Sequence, residues 1–277
     1  MTAQNPIPLS TIASADFIAG MAKGMAVLES FDTERQRLNA TLAAQRAGIT
    51  RAAARRHLLT LAHLGYLETD GSFYWLSSKV LRFSGSYLAS SRLPRVLQPT
   101  LSRLAAQTGE SFSAVVRDAD EVVIVARSNN YSQKHYQKNS DKINKYAGYT
   151  PYGLHLGARL PMYATSTGRV LLAALNDAEF DAWAHARSLP RLTAHTCTDM
   201  AAFRRTIAQI KIDDYAVASQ EHELGVYALA VPVRNMAGST VAALNVVTQP
   251  SRLEPQALQR ELLPLLQDAA RELRALI

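Results

Sequence analysis

Apolar and polar positions along this chain follow two periods, one near that of a helix and one near that of a strand. Met21, Met25 and Leu28 share a helical face that closes near Phe31. After a polar break at Asp32 to Arg37, the run NATLAAQRAG predicts a second helix. Gly48-Ile49-Thr50 interrupts it, and Thr50 is placed to cap a third helix reaching about Leu64. On that helix Ala54, His57, Leu58, Leu61 and Leu64 form the packing side. Ala52, Arg55 and Arg56 project opposite, with Arg51 at the edge. YLETDGSFYWLS then carries two short strand-like runs around Asp70-Gly71, a strong hairpin signal. Helix, glycine turn, helix and hairpin predict a winged helix-turn-helix over 16–78, preceded by a flexible tail at 1–15.

The stretch KVLRFSGSYLASSRLPRVLQPTLSRLAAQTGE is helical with interruptions at Pro94 and Pro99. It predicts a linker helix over 79–94 and the opening helix of a second domain, 95–277. SFSAVVRD and EVVIVARS are strands joined by Ala119-Asp120; YAVASQ, VYALAVPVR and TVAALNVVT are further strands. LPMYATSTGRVLLAAL predicts a loop feeding a helix capped by Thr165 or Ser166, and helices are expected over 177–187 and 198–211. A last amphipathic helix from Glu254 puts Leu258, Leu262, Leu265, Ala269, Leu273 and Leu276 on one stripe, kinked at Pro264. Strands flanked by helices in this order predict an α+β domain with a mostly antiparallel sheet.

Composition narrows the class. With 48% hydrophobic and 19% charged residues the chain is globular. Its formal net charge of +7 suits an acidic partner without requiring one. A single cysteine, Cys197, excludes an intramolecular disulfide framework. The opening lacks a basic segment followed by a continuous apolar core, so no signal peptide is expected, and no apolar run spans a bilayer. The expected setting is the cytoplasm, with no membrane contact.

The charge is unevenly placed. Arg46, Arg51, Arg55, Arg56 and His57 lie within twelve positions that contain no acid. Such a cluster can be a solvated face, but here it falls on the second helix of a helix-turn-helix, where base edges are read. Arg55 and Arg56 are therefore expected in the major groove of double-stranded DNA, with Thr50, Arg51 and Ala52 beside them. Arg46 and Arg51 are expected on backbone phosphates, and the aromatic hairpin along the backbone or minor groove. His57 reads as a structural histidine.

In the second domain, ATSTGR sets Thr165, Ser166 and Thr167 beside the free N–H groups of a helix beginning near Gly168. Such a helix start suits a carboxylate, although the same residues can simply cap the helix. Signs of an enzyme are weak. The chain has no nucleophile elbow, phosphate loop or dinucleotide fingerprint. His185, His195 and Cys197 lack a fourth metal ligand at suitable spacing, while Glu221, His222 and Glu223 sit between strands, where charges are usually solvated. No catalytic residue, metal or cofactor is expected.

MAKGMAVLESF, LAAQRAGITRAAARRHLLTLAHLGYLETDG, WLSSKVLRFSGSYL, LPMYATSTGRVLLAAL, SQEHELGVYALAVPVRN and VAALNVV occur in the order found in IclR-type transcriptional regulators. The chain resembles that family over about 17–276, and looks most like the branch controlling protocatechuate, p-hydroxybenzoate and β-ketoadipate catabolism. The resemblance implies a winged helix, a linker helix and a GAF-like effector domain. It also implies dimers built through the DNA-binding domains, often paired into tetramers, an inverted-repeat operator, and RNA polymerase as partner if the chain activates. Thr165, Ser166, Thr167 and Gly168 would belong to the effector loop, and Ala218, Ala228, Asn245 and Val247 would face the ligand from strands. Some relatives carry an acid and a cysteine or serine where this chain has Ala218 and Ala228, so a roomier pocket is expected, suited to a small aromatic carboxylate. Residues 129–153 look inserted relative to most relatives, as a solvated loop or a lid. An effector-independent architectural DNA-binding protein remains the alternative.

Overall fold

The computed structural model describes residues 12–32, 35–128, 155–248 and 257–277. The chain divides into two compact units, Met1–Ser86 and Tyr87–Ile277. The inserted loop expected at 129–153, most of the tail and the expected helix start at Glu254 lie outside the described residues.

The first unit holds α1 (Ala19–Glu29), α2 (Ala40–Ala47), α3 (Arg51–His63) and a hairpin of β1 (Leu67–Thr69) and β2 (Tyr74–Leu76). Asn39 caps α2 by accepting from the Thr41 and Leu42 N–H groups, both at 3.0 Å. Gly48 ends it in the left-handed region (φ 64°), where a side chain would strain the turn, and its N–H bonds the Ala44 carbonyl. Thr50 then caps α3, its hydroxyl accepting from Ala53 N–H at 3.3 Å. The core joins Val27, Phe31, Leu38, Ala43, Ala44, Ala54, Leu58, Leu61, Leu67 and Tyr74.

Some sequence expectations shift here. On α1 the buried residue is Val27, while Met21 and Met25 are 67% and 49% exposed. Leu64, expected in the packing face, ends α3 and is 49% exposed. His57 is half-buried beside α1, its Nδ1 3.6 Å from where a Cβ on Gly24 would stand, in keeping with a structural role. The hairpin loop runs from Asp70 to Phe73 rather than turning on Asp-Gly alone. Asp70 Oδ1 accepts from Ser72 N–H at 3.0 Å and Phe73 N–H at 2.8 Å. Leu38 extends the hairpin through paired backbone bonds with Tyr74.

The helix expected over 79–94 breaks at Ser91. After a 3₁₀ turn (Ser78–Val80) come α4 (Leu81–Ser90) and α5 (Arg92–Thr108). Pro94 sits in the first turn of α5, where its missing N–H costs nothing, and Pro99 lies inside the helix.

The second unit is built on a six-stranded antiparallel sheet, ordered β5-β4-β3-β8-β7-β6. Its strands are β3 (Ser111–Asp118), β4 (Glu121–Arg127), β5 (Arg159–Pro161), β6 (Ala216–Ser219), β7 (Tyr227–Arg234) and β8 (Thr240–Thr248). β5, an edge strand of three residues ending in proline, was not foreseen. Between β5 and β6 lie α6 (Ser166–Ala173), α7 (Asp177–Ala184) and α8 (Met200–Asp213); the chain closes with α9 (Leu263–Arg274).

Side-chain alternation gives the sheet two covered faces. Phe112, Ala114, Leu229, Val231, Leu244 and Val246 pack with Leu97, Leu101 and Leu104 of α5 and with Leu266, Ala269 and Leu273 of α9. On the other face Val115, Ile124, Ala230 and Ala243 pack with Val170 and Leu172 of α6, Trp183 of α7, and Phe203 and Ile207 of α8. The last helix departs from its expected stripe. Leu266, not Leu265, is fully buried, and Leu276 is exposed beyond the helix end. A π-helical turn (Leu258–Leu262) leads directly into α9, and Pro264 stands in the first turn of α9.

Candidate DNA-reading helix and ligand cleft

Arg51, Ala52, Arg55 and Arg56 are all exposed on α3, opposite buried Ala54, Leu58 and Leu61. Among the described residues no acid forms an ion pair with these arginines. Three guanidinium groups thus stand on one side of the second helix of a helix-turn-helix, free to meet phosphates and base edges. Thr50, expected beside them, spends its hydroxyl on the cap.

Arg46 is placed differently from the free phosphate contact expected of it. Its Nε donates to the Ser30 carbonyl at 2.6 Å and its Nη2 pairs with Asp32. It thereby ties the end of α2 to the end of α1.

The hairpin carries its own polar brace. Arg37 pairs with Asp70 and lies over the Trp75 ring, 4.9 Å from its centroid, and over Phe73 at 5.5 Å. Trp75 Nε1 donates to Glu68 at 3.0 Å. Backbone N–H groups of Phe73 and Ser72, followed by Arg37, hold the exposed Asp70 carboxyl below its ordinary range.

In the second unit a cleft of about 510 Å³, counting its mouth, opens between the sheet and the start of α6. Thr165, Ser166 and Thr167 line it from the helix start, Ala218, Ala228, Asn245 and Val247 from the sheet. The fold brings these two groups together from distant parts of the chain, and β6, β7 and β8 align the strand residues: Ala218 pairs with Ala228, and Ala228 with Val247.

Thr165 caps α6, donating to the Pro161 carbonyl at 3.0 Å and accepting from Gly168 N–H at 3.1 Å. Ser166 and Thr167 line the cleft, and neither hydroxyl has a hydrogen-bond partner among the described residues. Asn245, buried, accepts from the Ser113 hydroxyl at 2.7 Å through Oδ1, which leaves its amide donors available. Gly168, expected to touch the ligand, does not line the cleft. A Cβ there would stand 2.2 Å from the Met162 carbonyl oxygen, so the glycine admits the loop backbone against α6.

Two cleft residues were set aside in the sequence as solvated. Glu221 and His222 both line it. Both oxygens of Glu221 are held by Arg169, with Nη1 at 2.6 Å from Oε1, and the two side chains are only 12% and 5% exposed. Burial pushes the His222 ring below its ordinary value of 6.5, keeping it neutral near pH 7. The overlooked signal was Arg169 itself, a charge in the apolar helix sequence STGRVLLA that has to find a partner. His185, His195 and Cys197 do not join into a ligand set: among the described residues no group of three His, Cys, Asp or Glu could hold a metal ion. No described helix is long and apolar enough to cross a membrane.

Comparison with known proteins gives a consistent result. Residues 20–71 match the IclR helix-turn-helix domain and residues 141–275 the C-terminal domain of bacterial IclR transcriptional regulators. The chain is 48% identical over 262 residues to the Pca operon regulatory protein of Acinetobacter baylyi, covering 95% of this chain and 90% of that protein. It is equally 48% identical over 273 residues to the p-hydroxybenzoate hydroxylase transcriptional activator of the same organism, covering 99% and 97%. Among solved structures, the inducer-binding domain of a PobR transcription factor double mutant from Acinetobacter, in complex with 3-hydroxybenzoic acid, is 46% identical. It superposes with a TM-score of 0.59, covering 66% of this chain and 98% of that one.

Proposed function

Because the chain belongs to the IclR family of bacterial transcriptional regulators, we propose that α3 reads an operator while the cleft senses a hydroxylated aromatic carboxylate. The observation that carries the ligand reading is the cleft's make-up. Unused hydroxyls and the N–H groups of a helix start stand at one wall, small apolar residues and a buried amide at another. The helix start suits a carboxylate. Ala218 and Ala228 leave room for a ring, and the Asn245 amide meets a ring hydroxyl. The 3-hydroxybenzoic acid bound by the PobR domain belongs to this chemical class.

On the DNA side, Arg55 and Arg56 take base edges, Arg51 a phosphate, and Thr50 and Ala52 lie at the same surface. Arg46 acts by positioning α2. Phe17, Ile18, Met21 and Met25 around α1, and Leu81 and Phe83 on α4, are exposed apolar side chains that support a homodimer formed through the DNA-binding units. A two-fold dimer reads an inverted repeat with half-sites about one helical turn apart. The regulator works in the cytoplasm, without enzymatic turnover.

Titration calorimetry with 3-hydroxybenzoate, 4-hydroxybenzoate and cyclohexanecarboxylate tests the ligand reading. The two hydroxybenzoates should bind, and the Ser166→Ala/Thr167→Ala variant should bind them at least tenfold more weakly, about 1.4 kcal/mol. Binding unchanged in that variant, or no heat with any acid, would move the effector elsewhere.

A further inference from the structure

Glu221 is the one carboxylate among the described residues lining the cleft, and it is the kind of group that should repel an anionic ligand. Its charge is balanced on the spot. Arg169 donates through Nη1 and Nη2 to its two oxygens, and Cys197 N–H adds a third donor to Oε2 at 3.1 Å. Arg169 is itself fixed, with Nε on the Tyr163 carbonyl at 2.9 Å and its guanidinium over the Phe203 ring, 5.6 Å from the centroid. It belongs to α6, three positions after Ser166, so the balancing cation grows from the helix whose start faces the cleft. The Glu221 backbone carbonyl also accepts from the Thr196 hydroxyl at 2.7 Å, which keeps the segment in place.

We propose that Arg169 and Glu221 act together as a charge-balancing pair that sets the cleft's preference for an anion over a neutral ligand of the same shape. The inference rests on the reading of the cleft as an aromatic carboxylate site. Its physics is that of a buried pair: while both charges are present the local field is small, and removing either one leaves the other uncompensated beside the ligand. The two removals therefore have opposite consequences. Without the Glu221 charge, the bare guanidinium attracts a carboxylate. Without the Arg169 charge, the bare carboxylate repels it. A pair that served only to hold the fold would give losses of the same sign for both.

The test is the ratio of affinities for 4-hydroxybenzoate and its neutral methyl ester, measured by calorimetry on the full chain at neutral pH. Taking a full charge roughly 10 Å away at an effective dielectric near 20, Glu221→Gln should raise the acid-to-ester ratio about tenfold, and Arg169→Gln should lower it about as much. The double variant Arg169→Gln/Glu221→Gln carries no net charge change and should return the ratio to within about threefold of the parent, a prediction that stands even if a single variant does not fold. If both single variants weaken acid and ester alike, or if the double variant shifts the ratio as far as either single, the pair is structural and the inference fails. If the parent chain binds neither acid nor ester, the underlying reading of the cleft fails instead.

Discussion

Gly168→Ala sets two general effects against each other, and the structure decides which wins. Gly168 stands inside α6, so propensity alone says that alanine should stabilise the helix by about 1 kcal/mol. The surroundings say otherwise. The new Cβ would fall 2.2 Å from the Met162 carbonyl oxygen, 2.3 Å from its Cα and 2.6 Å from its carbonyl carbon. All three are backbone atoms, and Met162 is fully buried, so no side chain can swing aside. Overpacking in a close-packed interior typically costs 1–3 kcal/mol, and contact with a fixed backbone belongs at about 3. The net is a loss of about 2 kcal/mol, which in a domain of this size lowers Tm by roughly 4–8 °C. Because Met162 leads directly into the Thr165–Thr167 wall, ligand affinity should fall as well. Differential scanning calorimetry, with urea unfolding as a second probe, measures the loss. A variant as stable as the parent, or more stable, would show that the loop and helix do not approach as closely as described.

Further outcomes follow from individual side chains. Arg55→Ala or Arg56→Ala should each cost about 1–3 kcal/mol of operator binding and relax base preference, read by mobility shift over a panel of altered half-sites; a uniform loss on every sequence would assign these residues to phosphates. Ala228→Leu should fill the cleft and abolish hydroxybenzoate binding in calorimetry while leaving unfolding unchanged. His222 is held below 6.5 in the folded state, so the unfolded chain binds the extra proton first. The contribution of the neutral ring is thus complete above about pH 6.5 and declines as the pH falls below it. Chemical denaturation of His222→Gln between pH 7.5 and 5 should show a flatter fall than the parent, and parallel curves would refute the assignment.

Much of this architecture is legible in the chain, and the exceptions have physical causes. β3, β4, β7 and β8 announce themselves as runs of β-branched residues between turns, while β5 is too short to show a period and owes its place to pairing with β4. The α3 arginines were readable because the buried Ala54, Leu58 and Leu61 fix which side points outward. Met21 and Met25 misled because a helical apolar face does not say whether the surface covering it belongs to the same domain. Leu266 displaces Leu265 in the core because the π-helical turn before α9 alters the phase of the helix, which spacing alone does not reveal. In the cleft, the hydroxyl loop and the strand residues were foreseen, while Glu221 and His222 were not. Local sequence shows charges between two strands; the partner that lets Glu221 be buried is Arg169, 52 positions away.

The most direct test of the central claim is a crystal structure of the chain soaked or grown with 3-hydroxybenzoate. Ring density is expected between Ala218 and Ala228, with the carboxylate against the Ser166 and Thr167 hydroxyls and the start of α6, and the ring hydroxyl near the Asn245 amide. Ligand density outside the cleft, or a cleft that stays without ligand at a concentration well above the solution Kd, would contradict it.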